Sequence, residues 1–181
     1  AQGNYAEAGP LYKRSLAIYE KALGPEHPSV ARSLNNLAEL FRAQGNYAEA
    51  GPLYNRSLAI REKALGQEHP SVAESLNNLA GLLKTQVKIS FVNILFRKCL
   101  MSLFETALDT LPSCSTVQYN GNYAEAGPLY ERSLAIREKA LGHEHPSVAE
   151  SLNNLALLLK TQVIISFVKI LFRKCLLSLS R

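Results

Sequence analysis

The sequence predicts an all-α fold in which antiparallel helix pairs stack into a right-handed superhelical solenoid. A block that begins GNYAEAGPLY recurs at Gly3, Gly45 and Gly121, and each block runs on to SLAI, EKALG and EHPSVA. Inside each block, apolar residues recur mainly at three- and four-residue steps, which places them on one face of a helix. Aromatic residues make up only 8% of the chain and Trp is absent. This composition suits helix-on-helix packing better than a sandwich or barrel of strands.

The spacing of the blocks divides the chain into segments. The first two blocks start 42 residues apart, whereas the second and third start 76 apart because 34 further residues follow the second block. We name the helix predicted at GNYAEA helix B and the one predicted at PSVA helix A. We expect a repeat array over 1–86, made of an orphan helix B, one full repeat and the next helix A. A partly helical insert at 87–120, a helix B and helix A pair at 121–162 and a tail at 163–181 follow.

Helix B carries recognisable start and stop signals. Asn46 is a good N-cap, and Glu49 three residues later completes a capping-box pattern. Gly66 ends the helix, because glycine readily takes the left-handed conformation that closes a helix. Pro52 lies inside, where it removes a backbone hydrogen bond, so we expect a bend there. These signals predict a helix over Tyr47–Leu65.

Helix A begins at a proline that follows a histidine. Pro70 suits the first helical position, and Ser71 with Glu74 forms a second capping-box pattern. The predicted helix spans Ser71–Thr85. In the other blocks the same signals predict helices at Tyr5–Leu23, Ser29–Ala43, Tyr123–Leu141 and Ser147–Thr161.

The histidines suggest a metal site or a general base. His27, His69 and His145 recur as EHP, and His143 precedes the third. Successive blocks would hold them too far apart to share one ion, and each lies beside a helix-starting proline. We therefore expect a structural role, with no metal site and no cofactor. No GxSxG elbow, glycine-rich phosphate loop or HExxH helix occurs, so we expect no catalytic residues and no enzyme activity.

Charge and cysteine usage bear on partners and location. The formal net charge is +5 and the pI is near 9.2, yet basic residues are spread along the chain, so nucleic acid is not an expected partner. Cys99, Cys114 and Cys175 lie outside the blocks and lack metal-ligand spacing. They are typical of reduced thiols, and no secretory leader is recognisable. We expect a cytoplasmic protein.

A family resemblance emerges where helix A meets helix B. The residues that carry it are Asn36, Leu37, Ala38, Phe41, Gly45, Tyr47, Ala50 and Tyr54. Their spacing resembles the tetratricopeptide motif, and the 42-residue period with LNNLA, RSLAI and EKALG is similar to the kinesin light chain and nephrocystin type of repeat. The resemblance covers about residues 1–86 and 121–162. It implies a protein-interaction scaffold in which helix A lines a concave groove and helix B packs behind it.

The resemblance also indicates which side chains would hold a peptide in that groove. They lie on helix A and are Arg32, Asn35, Asn36, Glu39, Arg42, Glu74, Asn77, Asn78, Lys84, Glu150, Asn153, Asn154 and Lys160. An Asn amide both donates and accepts, so it can hold the backbone of an extended peptide, and Arg or Lys would select acidic peptides. The alternative is that one Asn of each pair bonds to a neighbouring helix while the other faces water.

The insert and the tail begin with near copies of one sequence. VKISFVNILFRKCL at 87–100 and VIISFVKILFRKCL at 163–176 do not resemble the repeat. On a helix, Lys169, Arg173 and Lys174 gather beside a broad apolar face. One interpretation is a helix that replaces a helix B and caps the array. The alternatives are attachment to a membrane surface or a partner helix, self-association, and non-coding sequence read through after KTQ.

Overall fold

The computed structural model describes the backbone of residues 5–103 and 121–179. Side chains are described at 5, 7–86, 123–164, 166 and 170. The described backbone forms six helices and no strand: α1 Tyr5–Leu23, α2 Pro28–Ala43, α3 Tyr47–Leu65, α4 Pro70–Leu103, α5 Gly121–Leu141 and α6 Pro146–Leu179. Each helix packs against the next one along the chain. The predicted all-α solenoid of helix pairs is confirmed.

The helices alternate between the two predicted kinds: α1, α3 and α5 are helices B, and α2, α4 and α6 are helices A. Two helices A are longer than expected, since α4 and α6 run on to Leu103 and Leu179 instead of ending near Thr85 and Thr161. Neither Gly nor Pro occurs in these extensions, so nothing stops the helix. None of the described helical stretches is long and apolar enough to cross a membrane. Residues 104–120 and the side chains of the three basic tail residues lie outside the described residues.

Helices B continue through their internal prolines. α3 passes through Pro52 and ends at Gly66, whose φ of 85° lies in the positive region that favours glycine, whereas its ψ of 156° lies outside the left-handed helical conformation that the sequence predicts. The Gly66 amide donates to the Glu62 carbonyl at 3.0 Å. Pro52 lies in the first two turns, where a helix has few intrahelical bonds to lose. The Gly-Pro pair is therefore compatible with an uninterrupted helix.

Each helix A is capped by the histidine that precedes it. The Nδ1 atoms of His27, His69 and His145 accept from the backbone N–H two residues later, at 3.1 Å in every block. The intervening proline takes the first helical turn, where its missing N–H costs nothing. The structural role of these histidines is thus that of an N-cap.

The two capping boxes expected from the sequence are wrong. The Asn46 side chain makes no capping bond. Its backbone N–H donates to the Phe41 carbonyl at 2.8 Å in the tight turn from α2, and its φ of −87° and ψ of 62° lie outside the extended region that a capping side chain uses. At the start of α4, the histidine already holds the Ser71 amide, and Glu74 accepts from Arg61 of α3 instead.

Each described junction between a helix B and the preceding helix A uses the same side chains. The cluster between α2 and α3 contains Val30, Ala31, Leu34 and Ile60. The cluster between α4 and α5 contains Val72, Ala73, Leu76 and Ile136. Ser57 and Ser133 also donate from helix B to the carbonyls of Ala31 and Ala73, at 2.7 and 2.8 Å. The two junctions are therefore built from equivalent residues of successive blocks.

Ion pairs connect each block to the block before it. The pairs are Arg56–Glu20, Arg132–Glu62, Lys63–Glu26 and Lys139–Glu68. The two arginine pairs have nitrogen to oxygen distances of 2.6 and 2.7 Å. Exposed pairs of this kind each contribute little to stability, but their repetition shows that the blocks stack in one register.

A buried arginine ties the end of helix B to the helix A that follows it. Arg61 Nη1 donates to the Ser71 carbonyl at 2.6 Å and to the Glu74 carboxylate at 2.9 Å. It also donates to Ser75 Oγ at 3.1 Å. Arg137 makes the same three contacts in the third block. The guanidinium group is thus supplied with acceptors although it is removed from water.

Replacing Arg61 by Ala removes the donor that serves the buried Ser75 hydroxyl and the Ser71 carbonyl. We expect the free energy of unfolding to fall by about 2 kcal/mol. The matched control is Arg56→Ala, which removes the partner of the Glu20 carboxylate in an exposed ion pair. It should lower the free energy of unfolding by less than about 1 kcal/mol. Urea unfolding followed by circular dichroism measures both, and equal losses would contradict the role given to Arg61.

Candidate functional site

The asparagine pairs of consecutive helices A are bonded to one another. Asn78 Nδ2 on α4 donates to Asn35 Oδ1 on α2 at 3.1 Å. One block later, Asn154 Nδ2 on α6 donates to Asn77 Oδ1 on α4 at 3.0 Å. We call these two bonds the amide ladder. Because it joins α2, α4 and α6, it brings their Asn-bearing sides to one surface, which we call the helix A face.

The amide ladder leaves one asparagine unused at each end. Asn35 is buried, with 6% of its surface exposed, whereas Asn36 on the same helix is exposed and makes no ladder bond. Asn153 on α6 is exposed in the same way. On α2 and on α6, one Asn bonds to a neighbouring helix and the other faces water, which is the alternative interpretation given above. On α4, both Asn residues are bonded.

Glu39 forms a polar cluster with Arg42 and Tyr54. Arg42 donates to Glu39 Oε2 through Nε at 3.1 Å and through Nη2 at 2.7 Å. The Tyr54 hydroxyl donates to Glu39 Oε1 from the buried face of α3. Burial first, and then the hydrogen bond and charge of Glu39, raise the pKa of Tyr54, so its hydroxyl stays protonated as a donor. Partial burial lowers the pKa of Arg42, but the bond and charge of Glu39 outweigh it and the net change is a rise.

The two glutamates predicted to face a peptide are engaged within the repeat. Glu74 accepts from Arg61 at 2.9 Å, and Glu150 accepts from Arg137 at 3.0 Å. Both arginines are buried, and both carboxylates are more than half exposed. The arginines therefore compensate the negative charge on this part of helix A.

The basic residues predicted to face a peptide differ in their exposure to solvent. Arg32 and Lys160 are exposed, and Lys84 is half-buried. In the first block Arg32 takes the place of the glutamates, and Tyr19 takes the place of the buried arginine. Arg32 therefore does not have the arginine neighbour that Glu74 and Glu150 have, and it is exposed. Arg32 and Lys160 are thus exposed cations on the helix A face.

Sequence reasoning missed two contacts near this face. One is the Tyr54 bond to Glu39, and the other is Lys13, whose ammonium lies 5.8 Å from the centre of the Phe41 ring. Position 39 is occupied by Gly81 and Leu157 in the other blocks. The variation at this position, among blocks that otherwise match, is the signal that could have indicated a contact of Glu39 specific to its own repeat.

The helix A face presents polar and charged side chains to solvent. It offers amide donors and acceptors, together with exposed cations at both ends. Among the side chains that the structure describes, no three His, Cys, Asp or Glu residues converge as metal ligands would.

Comparison with known proteins identifies the repeat. The sequence profile of the tetratricopeptide repeat family matches residues 1–63, 30–88 and 104–162. A search of curated proteins found no match. Among solved structures, BtubC (BKLC) from P. vanneervenii is 22% identical with a TM-score of 0.62, over 87% of this chain and 50% of that one. The chain spans about half the length of that relative, and the likeness concerns the fold.

Two structures of a Podosopora anserina putative kinesin light chain with nearly identical TPR-like repeats also match. The first is 30% identical with a TM-score of 0.46, over 94% of this chain and 85% of that one. A single-substitution variant of it is 29% identical with a TM-score of 0.46, over 95% and 85%. Since the family profile matches most of its length, the chain belongs to the tetratricopeptide repeat family.

Proposed function

We propose that the chain binds an extended, acidic peptide of a partner protein along the helix A face. The amide ladder carries this proposal, because it fixes the spacing of three helices A before any ligand arrives. A surface that is already ordered loses little conformational entropy on binding. The ladder thus supports a preorganised recognition surface.

The exposed asparagines supply the backbone contacts in this proposal. Asn36 and Asn153 stand at opposite ends of the amide ladder with their amides open to solvent. Each amide can donate to a peptide carbonyl and accept from a peptide N–H, whatever the peptide side chain is. They would hold the backbone, and selectivity would come from the charges beside them.

The charges beside the asparagines favour acidic ligands. Glu39, Glu74 and Glu150 each accept from an arginine of the chain itself. Arg32 and Lys160 are exposed, so they are available to carboxylates of a partner. Charge-assisted bonds to carboxylates are stronger than neutral ones, and complementary charge chiefly sets specificity and association rate.

Replacing Arg32 by Glu should weaken the binding of acidic peptides, selected from a peptide array, by about tenfold, which corresponds to about 1.4 kcal/mol. The loss follows from removing a charge-assisted bond and placing a like charge beside the ligand. Fluorescence anisotropy at low and high salt measures the effect, which should shrink as salt screens the charges.

The control for this prediction is Lys21→Glu, which makes the same charge change on helix B of the first block. It should leave peptide affinity unchanged. Asn36→Ala provides a second comparison, because a residue that holds the backbone should affect acidic and neutral peptides equally. Equal losses for Arg32→Glu and Lys21→Glu would show that overall charge, and not the helix A face, attracts the peptide.

The two asparagines of α2 should differ in their effect on stability. Asn35→Ala leaves the Asn78 amide without its acceptor and should lower the free energy of unfolding by about 1 kcal/mol. Asn36→Ala changes an exposed side chain and should alter it by less than about 0.5 kcal/mol. Urea unfolding compares the two variants. A larger loss for Asn36→Ala would contradict the amide ladder.

A further inference from the structure

The same tyrosine of helix B has different surroundings in the α2–α3 junction and in the α4–α5 junction. Tyr54 on α3 and Tyr130 on α5 occupy equivalent positions, and both are almost completely buried. The Tyr54 hydroxyl donates to the Glu39 carboxylate of α2. At the position of Glu39, α4 has Gly81. The carboxylate that serves the tyrosine in the first junction is therefore missing from the second.

The Tyr130 hydroxyl is a buried donor without an acceptor. Tyr130 is 1% exposed, and no residue that the structure describes forms a hydrogen bond with its hydroxyl. Burial raises the pKa of Tyr130, and the charge of Arg42 lowers it by less, so the hydroxyl stays protonated. A buried donor that lacks a partner costs free energy. An acceptor supplied from outside the chain would recover that free energy.

A guanidinium nitrogen lies next to the same point. A methyl group placed on Gly81 would lie 3.6 Å from Tyr130 Oη and 3.9 Å from Arg42 Nη1. These are ordinary van der Waals distances, so a side chain could occupy this space without a clash. Arg42 bonds to Glu39 through Nε and Nη2, so its Nη1 lies outside that ion pair. Two donors of different helices thus border the space that the missing side chain of Gly81 leaves.

The space beside Gly81 lies on the helix A face. Gly81 follows Asn77 by four residues and Asn78 by three, which places all three on one side of α4. Both asparagines belong to the amide ladder. Gly81 is half-buried, and the Arg42 side chain is 38% exposed. A peptide that lies along the amide ladder would therefore pass over this space.

The chemistry of this space favours a carboxylate. In the first junction, a carboxylate is the group that accepts from the tyrosine hydroxyl and from Arg42. Both oxygens of Glu39 are used by these bonds, to Arg42 and to Tyr54. Hydrogen bonds from an arginine to a carboxylate are stronger than bonds between neutral groups. A carboxylate of a ligand could thus make with Tyr130 the bond that Glu39 makes with Tyr54.

We propose that an aspartate or glutamate side chain of the bound peptide occupies the space beside Gly81, where its carboxylate accepts from the Tyr130 hydroxyl and from Arg42 Nη1. This inference rests on the peptide binding proposed above and identifies one subsite of it, which we call the Gly81 subsite. The first junction has no equivalent subsite, because the Glu39 side chain fills the corresponding space itself.

The Gly81 subsite can be tested without a ligand by supplying the carboxylate from the chain itself. Gly81→Glu places a glutamate at the position equivalent to Glu39, and Gly81→Gln is the neutral control of the same shape. Both should raise the urea midpoint, because either residue suits a helix interior better than glycine. The glutamate should raise it further through its bonds to Tyr130 and Arg42, and Tyr130→Phe should reduce that advantage. Equal midpoints for the two variants would overturn the subsite.

Binding of acidic peptides selected from an array tests the subsite from the side of the ligand. Tyr130→Phe removes only the hydroxyl and should raise the Kd by about tenfold. Tyr12→Phe makes the same change at the equivalent, exposed position of α1 and should leave the Kd unchanged. Each acidic residue of the peptide is then replaced in turn by its amide. One replacement should weaken binding to the parent chain by about tenfold and hardly affect binding to Tyr130→Phe.

Fluorescence anisotropy measures these affinities, and circular dichroism confirms that each variant is folded. Coupling between the Tyr130 hydroxyl and one acidic residue of the peptide supports the Gly81 subsite. Two outcomes overturn the subsite and leave peptide binding on the helix A face intact: Tyr130→Phe binds as tightly as the parent chain, or no single acidic residue is coupled to the hydroxyl. A parent chain that binds no acidic peptide contradicts the proposed function and the subsite together.

Discussion

The structure depends on one recurring contact, in which a helix B lays its isoleucine and serine against the helix A before it. Ile60 and Ile136 are almost fully buried at this contact, and burying such a side chain contributes about 1.5–3 kcal/mol. The serines are small enough for close approach and satisfy their hydroxyls on backbone carbonyls of helix A. Each contact thus combines apolar burial with a hydrogen bond that fixes the position of one helix along the axis of the other.

This contact determines what the molecule can offer to a partner. Because each helix B packs at a fixed position along helix A, consecutive helices A lie close enough for their asparagine side chains to form hydrogen bonds. The Nδ2 to Oδ1 distances are 3.1 and 3.0 Å. The bonded asparagines hold the surface, and those at its ends are left exposed. Repeat proteins gain extended binding surfaces in this way, because every unit contacts only its neighbours and repeats the same geometry.

Helix positions were largely predictable, because the signals that set them are local. Gly66 closes α3 and the prolines open helices A as the sequence indicates. The use of His27 as a cap was not foreseen, since histidine is not among the residues that usually cap a helix. The box at Asn46 failed because the turn from α2 sets the backbone of that residue. α4 and α6 are longer than predicted because the sequence leaves the repeat pattern after KTQ without a glycine or proline that would end the helix.

The candidate site was only partly predictable, because its bonds connect blocks. The sequence shows that Asn pairs recur, but not that the second Asn of one block donates to the first of the block before. That pairing depends on how blocks are stacked. Glu39 likewise finds Tyr54 in the following helix B, and Glu74 finds Arg61 in the preceding one. The position of a side chain on its own helix does not reveal such partners.

The central claim is that helices A cover the same face of α3 and α5 and leave that face of α1 open. It is tested most directly by making one substitution in all three helices B and measuring urea unfolding in dilute solution. Ile60→Ala and Ile136→Ala should each lower the free energy of unfolding by about 2–4 kcal/mol. Ile18→Ala should change it by less than about 0.5 kcal/mol. Equal losses at the three positions would contradict the account.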